Sequence, residues 1–368
     1  MSADFIVVVT ALLVVVPCAL LGTFLVLRQM AMMGDAISHA VLPGIVFAFF
    51  LSESLGPVTS VVGAAVFGLL TAFLVEGLRN TGRVKEDSSI GIVFTALFAL
   101  GVFLISRFAS SVHLDLQHVL YGEIAFSPLN SLVLGGVNLG PRSFWTLGAV
   151  TLLVIAFVLL LYKELKISTF DAGLAAAVGL SPVLVHYGLM AVVSVTVVGA
   201  FDSVGAILVV AFLIAPPATA YLLTERLSRM MALAVLVGAA SAVSGYYIAY
   251  AFDVSISGTM ASMTGLFFVL ALLFSPSHGL VAAALRRRRN GRTFARDLLV
   301  SRLSTSDGTL RNKDESTLLR ELGWDRARFG SALEDALDHG LVVASQTGEL
   351  AVTEKGREAA RARERTLA

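Results

Sequence analysis

The chain has 368 residues, 57% of them hydrophobic and only 14% charged, with a mean hydropathy of +0.84. This excludes an ordinary water-soluble globular domain and a disordered chain, and it reads as a polytopic membrane protein. The formal net charge of +1 hides a division: positions 1–278 hold ten basic and thirteen acidic residues, and the last ninety hold seventeen and thirteen. The first part reads as membrane and the second as a water-soluble appendage with a basic lean. Cys18 stands alone, which excludes a disulfide framework or a cysteine-rich zinc site and leaves it a small buried hydrophobe.

The first apolar run, Phe5 to Leu27, is long enough to span a bilayer and lacks the basic leading region of a cleaved signal peptide. Further runs of spanning length lie near 36–52, 57–78, 89–108, 143–163, 182–201, 203–223, 229–251 and 258–275, so the expectation is nine helices. The second is short and begins at an acid–histidine motif, as broken or tilted substrate-lining helices do. Small residues such as Gly63-Ala64-Ala65-Val66-Phe67-Gly68 predict close helix packing.

Loop charges set an expected orientation. Arg79, Arg83 and Lys85, then Lys163 and Lys166, then Arg226 and Arg229, then Arg286 to Arg289 all fall on one side if the spans alternate. The positive-inside rule makes that side cytoplasmic, with the N-terminus outside; Arg107 and Arg142 are the exceptions. Residues 109–142 then form a long outer loop. Residues 164–181 form a cytoplasmic loop in which Asp171 starts, and Gly179 stops, a short helix.

Asp35 and His39 carry the clearest chemical signal. Their i, i+4 spacing sets them one above the other on one helix face, where a carboxylate and an imidazole can grip one divalent cation. Ionisable groups at membrane depth are costly and mark ion or substrate pathways; the alternative is a hydrogen bond that holds two helices together. Asp202, between the sixth and seventh spans, is either a further ligand or a cap on the seventh helix. Oxygen and imidazole ligands without thiolates suit Mn(II), Fe(II) or Zn(II), and two carboxylates with one imidazole lean toward Mn(II).

In the outer loop His113, Asp115, His118 and Glu123 either receive a metal from an external donor or are wetted loop residues. His186 reads as a satisfied core histidine and His278 as interfacial. There is no phosphate-binding loop, no Gly-x-Ser-x-Gly, no His-Glu-x-x-His and no Cys-x-x-Cys, so an enzyme reading has little to stand on.

Three stretches support a resemblance. The run from Leu27-Arg28-Gln29-Met30 through Met33-Gly34-Asp35-Ala36-Ile37-Ser38-His39 to Pro43-Gly44 is similar to the signature of the metal-ion permease family of ABC importers. Val204-Gly205 through Ala215-Pro216-Pro217-Ala218 resembles that family's late Pro-Ala-rich helix, and Leu120-Tyr121-Gly122 its outer motif. The likeness covers about residues 5–280. It implies a homodimer in the lipid bilayer, two cytoplasmic ATPase subunits and an extracytoplasmic metal-binding protein, with no permanently bound cofactor and no enzyme activity in this chain. It makes Asp35 and His39 the transmembrane metal ligands. Phe170, Asp171, Ala175 and Gly179 match the helix that couples to the ATPase, though Ala172-Gly173 departs from the family's usual proline and acid. Transport by alternating access follows, with Mn(II) as cargo, or zinc or iron, and with protons competing for the imidazole.

The appendage divides into a basic linker, 281–298, whose Arg286 to Arg289 suit anionic lipid, and a domain over 299–368. Leu318, Leu319 and Leu322 precede Gly323-Trp324-Asp325, a helix stop and a new cap. Phe329, Leu333 and Leu337 continue a helix to Gly340. Two alternating runs around Gln346-Thr347-Gly348 read as a hairpin, and a polar helix closes the chain. This α+β order resembles a winged-helix domain of metal-dependent repressors, so a membrane-tethered regulator is the competing reading. Its recognition helix, 325–339, carries Arg326 and Arg328 but also Glu334, Asp335 and Asp338. That mixed face disfavours DNA and suits a protein contact.

Overall fold

The structure, a computed structural model, describes residues 2–52, 57–108, 124–129, 131–134, 137–276, 279–304, 315–344 and 350–367. The chain divides into two units, Met1–His278 and Gly279–Ala368.

The first unit is a helical bundle. Its elements are α1 (Ala3–Leu27), α2 (Met33–Ser52), α3 (Pro57–Asn80), α4 (Glu86–Phe108), a 3-10 turn (Ile124–Phe126), β1 (Ser131–Leu134), β2 (Val137–Pro141), α5 (Arg142–Leu160), α6 (Tyr162–Phe170), α7 (Ala172–Ala177), α8 (Pro182–Val204), α9 (Ala206–Leu223), α10 (Leu227–Phe252) and α11 (Ile256–Phe274). Among the described residues, nine of these helices are long and apolar enough to cross a membrane, and they follow the expected runs to within a few residues. The second span is one continuous helix with Pro43 inside it.

Helix α1 is the hub. It packs against α5, α8, α9 and α10, and its Ala11, Val14, Val15, Cys18, Leu21, Phe24 and Leu25 are fully enclosed. Helices α2, α3 and α4 form a second cluster, joined to the hub through α8 and α9. Large apolar side chains such as Phe73, Leu152, Leu159, Leu160 and Leu236 face outward, as they must where the solvent is hydrocarbon. Lipid removes most of the hydrophobic drive between helices, so close packing and internal polar bonds hold the bundle.

Glycine supplies the close packing. A Cβ on Gly63 would stand 2.5 Å from both the Gly44 carbonyl oxygen and Ala48 Cβ, so α3 meets the backbone of α2 directly. A Cβ on Gly68 would collide with Ser194 of α8. Hydroxyls supply the polar bonds. Thr10, Thr23, Thr71 and Thr196 donate back to the carbonyl four residues earlier, which gives each of these four hydroxyls a partner in an apolar setting. Thr151 donates across to the Leu13 carbonyl at 2.7 Å, and Thr10, Ser127 and Ser143 bond to one another.

The segment read as a long loop holds an antiparallel hairpin, with Val133 opposite Asn138 and Leu134 opposite Val137. The membrane part is therefore mostly, not wholly, helical. The sequence carried a signal for this in Gly135-Gly136 between two short apolar runs. Likewise 164–181 is not one loop with a short helix: α6 continues α5 after a break at Leu161 (φ −104°, ψ 21°).

The second unit contains α12 (Leu280–Ser304), α13 (Glu315–Leu322), α14 (Arg326–Asp338), β3 (Val342–Ala344), β4 (Leu350–Val352) and α15 (Glu354–Leu367). Strands β3 and β4 pair antiparallel. Its core joins Ala295, Leu299, Val300 and Leu303 to Leu318, Phe329, Ala332, Ala336, Leu341 and Val352. Residues 281–298 are thus helical, and the later ones pack into this core. Asp325 caps α14 by accepting from the Arg328 N–H at 3.0 Å, and Gly340 (φ 66°) ends it.

Candidate metal centre

The α1–α2 elbow fixes where the acid and histidine stand. The Met30 N–H reaches the Leu25 carbonyl at 2.8 Å and the Gln29 N–H reaches Val26 at 3.0 Å, a Schellman stop. Its left-handed position is held by Gln29 at φ 62°. A non-glycine there costs about 1 kcal/mol of backbone strain, so the surrounding packing imposes this bend. Met30 and Met33 are buried beyond it, and α2 begins at once. Gly34 lies so close to Leu213 that a Cβ would overlap its Cδ2. Leu213 is near the middle of α9, about 15 Å from that helix's end. The start of α2 therefore lies beside the middle of α9 rather than beside one of its ends.

Asp35 Oδ1 and His39 Nε2 are 3.7 Å apart and each side chain is about one-third exposed (33% and 32%). That separation is too long for a hydrogen bond, and both groups sit on one helix, so the pair does not tie two helices together. An ion ~2.1 Å from both atoms would see them at roughly 120°, an open angle that leaves room for more ligands. The imidazole is held between Phe94, stacked at 5.3 Å, and Phe98, edge-on at 5.5 Å, both from α4. Its Nδ1 is buried without a hydrogen-bond partner among the described residues.

Among the described residues no group of three His, Cys, Asp or Glu side chains converges. Asp202 lies in the last turn of α8, and α9 is capped instead by Gly205 (φ 81°) without a side-chain bond. His113, Asp115 and His118 lie outside the described residues, as does His278.

The second site element is the short helix α7. Asp171 caps it, its Oδ1 accepting from the Leu174 N–H at 2.8 Å. Gly179 (φ 84°) ends it, with the Leu180 N–H returning to the Ala175 carbonyl at 3.0 Å. Ala175 is enclosed, whereas Phe170, Leu174 and Val178 are 61%, 51% and 59% exposed. Leu174 and Val178 stand one turn apart, and Phe170 precedes them on α6 across the extended Asp171 (φ −150°, ψ 93°), so three apolar groups are left outside the core.

A profile of the ABC 3 transport family matches residues 4–275. The chain belongs to that family. It is similar to the manganese transport system membrane protein MntD of Bacillus subtilis (strain 168), 51% identical over 78% of this chain and 97% of the relative. It is also similar to the zinc transport system membrane protein TroD of Treponema pallidum (strain Nichols), 43% identical over 91% of this chain and 92% of that one. Among solved structures, PsaBC from Streptococcus pneumoniae in complex with Fab matches with a TM-score of 0.61 and 34% identity, over 74% of this chain and 91% of that chain. This ABC 3 family member is a multi-pass membrane permease and a transporter subunit, not an enzyme.

Sequence reading missed two polar links in this permease. Arg28, at the elbow, donates from Nε to Thr169 Oγ1 at 3.1 Å and from Nη2 to Ser168 Oγ at 2.8 Å. Burial draws its guanidinium below the ordinary pKa. Glu76 of α3 meets His186 of α8, Oε2 to Nε2 at 3.1 Å. These two atoms are not aligned as a hydrogen bond, so a carboxylate from another helix faces the histidine that the sequence read as a satisfied core residue. The available signal was charge: Arg28 and Glu76 are isolated ionisable residues at the ends of apolar runs.

Proposed function

We propose that this permease imports a divalent transition metal, Mn(II), by ATP-driven alternating access. Asp35 and His39 are the ligands it offers to the ion in transit. The observation that carries the reading is the pair itself: a carboxylate and an imidazole 3.7 Å apart on one spanning helix, not hydrogen-bonded to each other. Oxygen and imidazole donors suit Mn(II), with zinc and iron as the alternatives, and the relatives' names include both manganese and zinc. Two ligands per chain fit a homodimer in which two copies share one ion. Asp202 and the outer-loop His113, Asp115 and His118 are further candidates, the latter for receiving metal from an extracytoplasmic binding protein.

The segment from Phe170 through Asp171 and Ala175 to Gly179 docks on a separate ATPase subunit, two per complex. Its exposed Phe170, Leu174 and Val178 support this assignment. The N-terminus lies outside and the 279–368 unit in the cytoplasm, in line with the loop charges. The transport domain takes in 1–280. The order of α12 to α15 with its hairpin supports a winged-helix-like reading of the last unit. DNA is a poor partner for it. Arg328 lies over the Trp324 ring at 5.1 Å, and Asp335 faces Arg296 at 3.6 Å, so the α14 face is neither free nor uniformly basic.

The test is ATP-driven uptake of Mn(II) and Zn(II) into vesicles by the assembled complex, beside Asp35→Ala and His39→Ala. Uptake of one metal that falls at least tenfold in both variants, the scale of a lost ligand or of its supporting shell, with ATPase assembly intact, is the expected result. Undiminished uptake in both would show that the pair is structural.

A further inference from the structure

The route from α7 to α2 is short and polar. Helix α6 ends in Ser168-Thr169-Phe170, and Asp171 then caps α7. Ser168 and Thr169 hold the Arg28 guanidinium through two hydrogen bonds. Arg28 is the C-cap of α1, and the strained Gln29 elbow joins it to Met33, two residues before Asp35. Leu161 and Gly179 interrupt regular helix at either side of the α6–α7 segment. The segment is thus bounded by two bends, turns once more at the extended Asp171 (φ −150°, ψ 93°), and is gripped just before that turn by one arginine from the metal-bearing elbow.

The neighbouring Glu76–His186 pair offers another reading, a second cation site. Arg28 and Arg79 both lie within electrostatic reach of His186, and two guanidiniums make that pocket hostile to a metal ion. The pair is better understood as a brace between α3 and the first turns of α8.

We propose that Arg28 is a positioning residue that transmits displacement of α7 to helix α2, and so to Asp35 and His39. A planar guanidinium that donates from both Nε and Nη2 fixes direction as well as distance, which a single flexible bond does not. The elbow beyond it is locked by its own backbone bonds, so a shift of Thr169 becomes a shift of α2 rather than a local relaxation. This inference rests on the reading of α7 as the ATPase-docking helix.

The experiment uses the complete complex in vesicles and reads Mn(II) taken up per ATP hydrolysed, with Mn(II) binding measured separately in detergent. Arg28→Ala is compared with the double variant Ser168→Ala/Thr169→Val, which removes the acceptors without touching the elbow. The expected result is a fall of roughly tenfold in uptake per ATP for Arg28→Ala, on the scale of charge-assisted hydrogen bonds. The acceptor variant shows a smaller fall in the same ratio, combining all three adds no further loss, and Mn(II) binding stays within about twofold of wild type. An unchanged ratio in the acceptor variant, or losses that multiply, would overturn the proposal. Wild type that moves no Mn(II) or Zn(II) would instead fail the transport reading, which separates the two.

Discussion

Gly34→Ala tests whether the depth and angle of α2 are set by its contact with α9. The added Cβ overlaps Leu213 Cδ2, and Leu213 is 1% exposed, so its side chain has no open space into which to turn. Either Leu213 leaves its rotamer or α2 retreats from α9 and carries Asp35 with it. Overpacking of this kind costs about 1–3 kcal/mol, or roughly 5- to 150-fold in the affected equilibrium. Leu213→Ala alone opens a cavity and costs ~2 kcal/mol or more. Together the two changes remove the clash and fill part of the cavity, one carbon added against three removed, so the double variant should recover about 1–2 kcal/mol relative to the sum of the singles. The assays are thermal unfolding of the purified permease in detergent and metal uptake in vesicles. Gly34→Ala with wild-type stability and uptake would refute the argument, as would a double variant no better than the sum.

Two further changes probe other contacts. Asp171→Ala removes the α7 cap and should cost about 1 kcal/mol locally, seen as faster hydrogen exchange at Leu174 and reduced uptake, while Asp171→Asn keeps a capping oxygen and stays near wild type. Gly63→Ala should destabilise the bundle by about 1–3 kcal/mol, because the Gly44 backbone cannot move aside; Gly77→Ala on the same helix, with nothing within 4 Å, serves as the silent control in the same melting experiment.

Long apolar runs are legible because a bilayer demands them, and each span expected from hydropathy has its helix. Capping is legible for the same kind of reason. Asp171, Gly179, Gly323, Asp325 and Gly340 each announce a start or stop through local backbone chemistry. The Asp35–His39 pair was visible because the spacing lies within one helix. What escaped was anything needing two distant segments to meet. Arg28 and Ser168 are 140 positions apart, and the partners of Glu76 and Gly34 lie on other helices. Gln29 gave no warning of the elbow, since a left-handed stop normally shows itself as glycine.

The boundary between His278 and Gly279 also orders events in time. A ribosome releases this chain from the N-terminus, so the spans of the first unit are made before any of the last ninety residues exist. At 5–20 residues per second those residues take roughly 5–18 s to follow. The bundle thus has several seconds to insert and begin packing with no C-terminal unit present to compete for its surfaces. A substitution in the Leu299–Phe329 core is therefore expected to act mainly on the finished molecule rather than on the making of the spans.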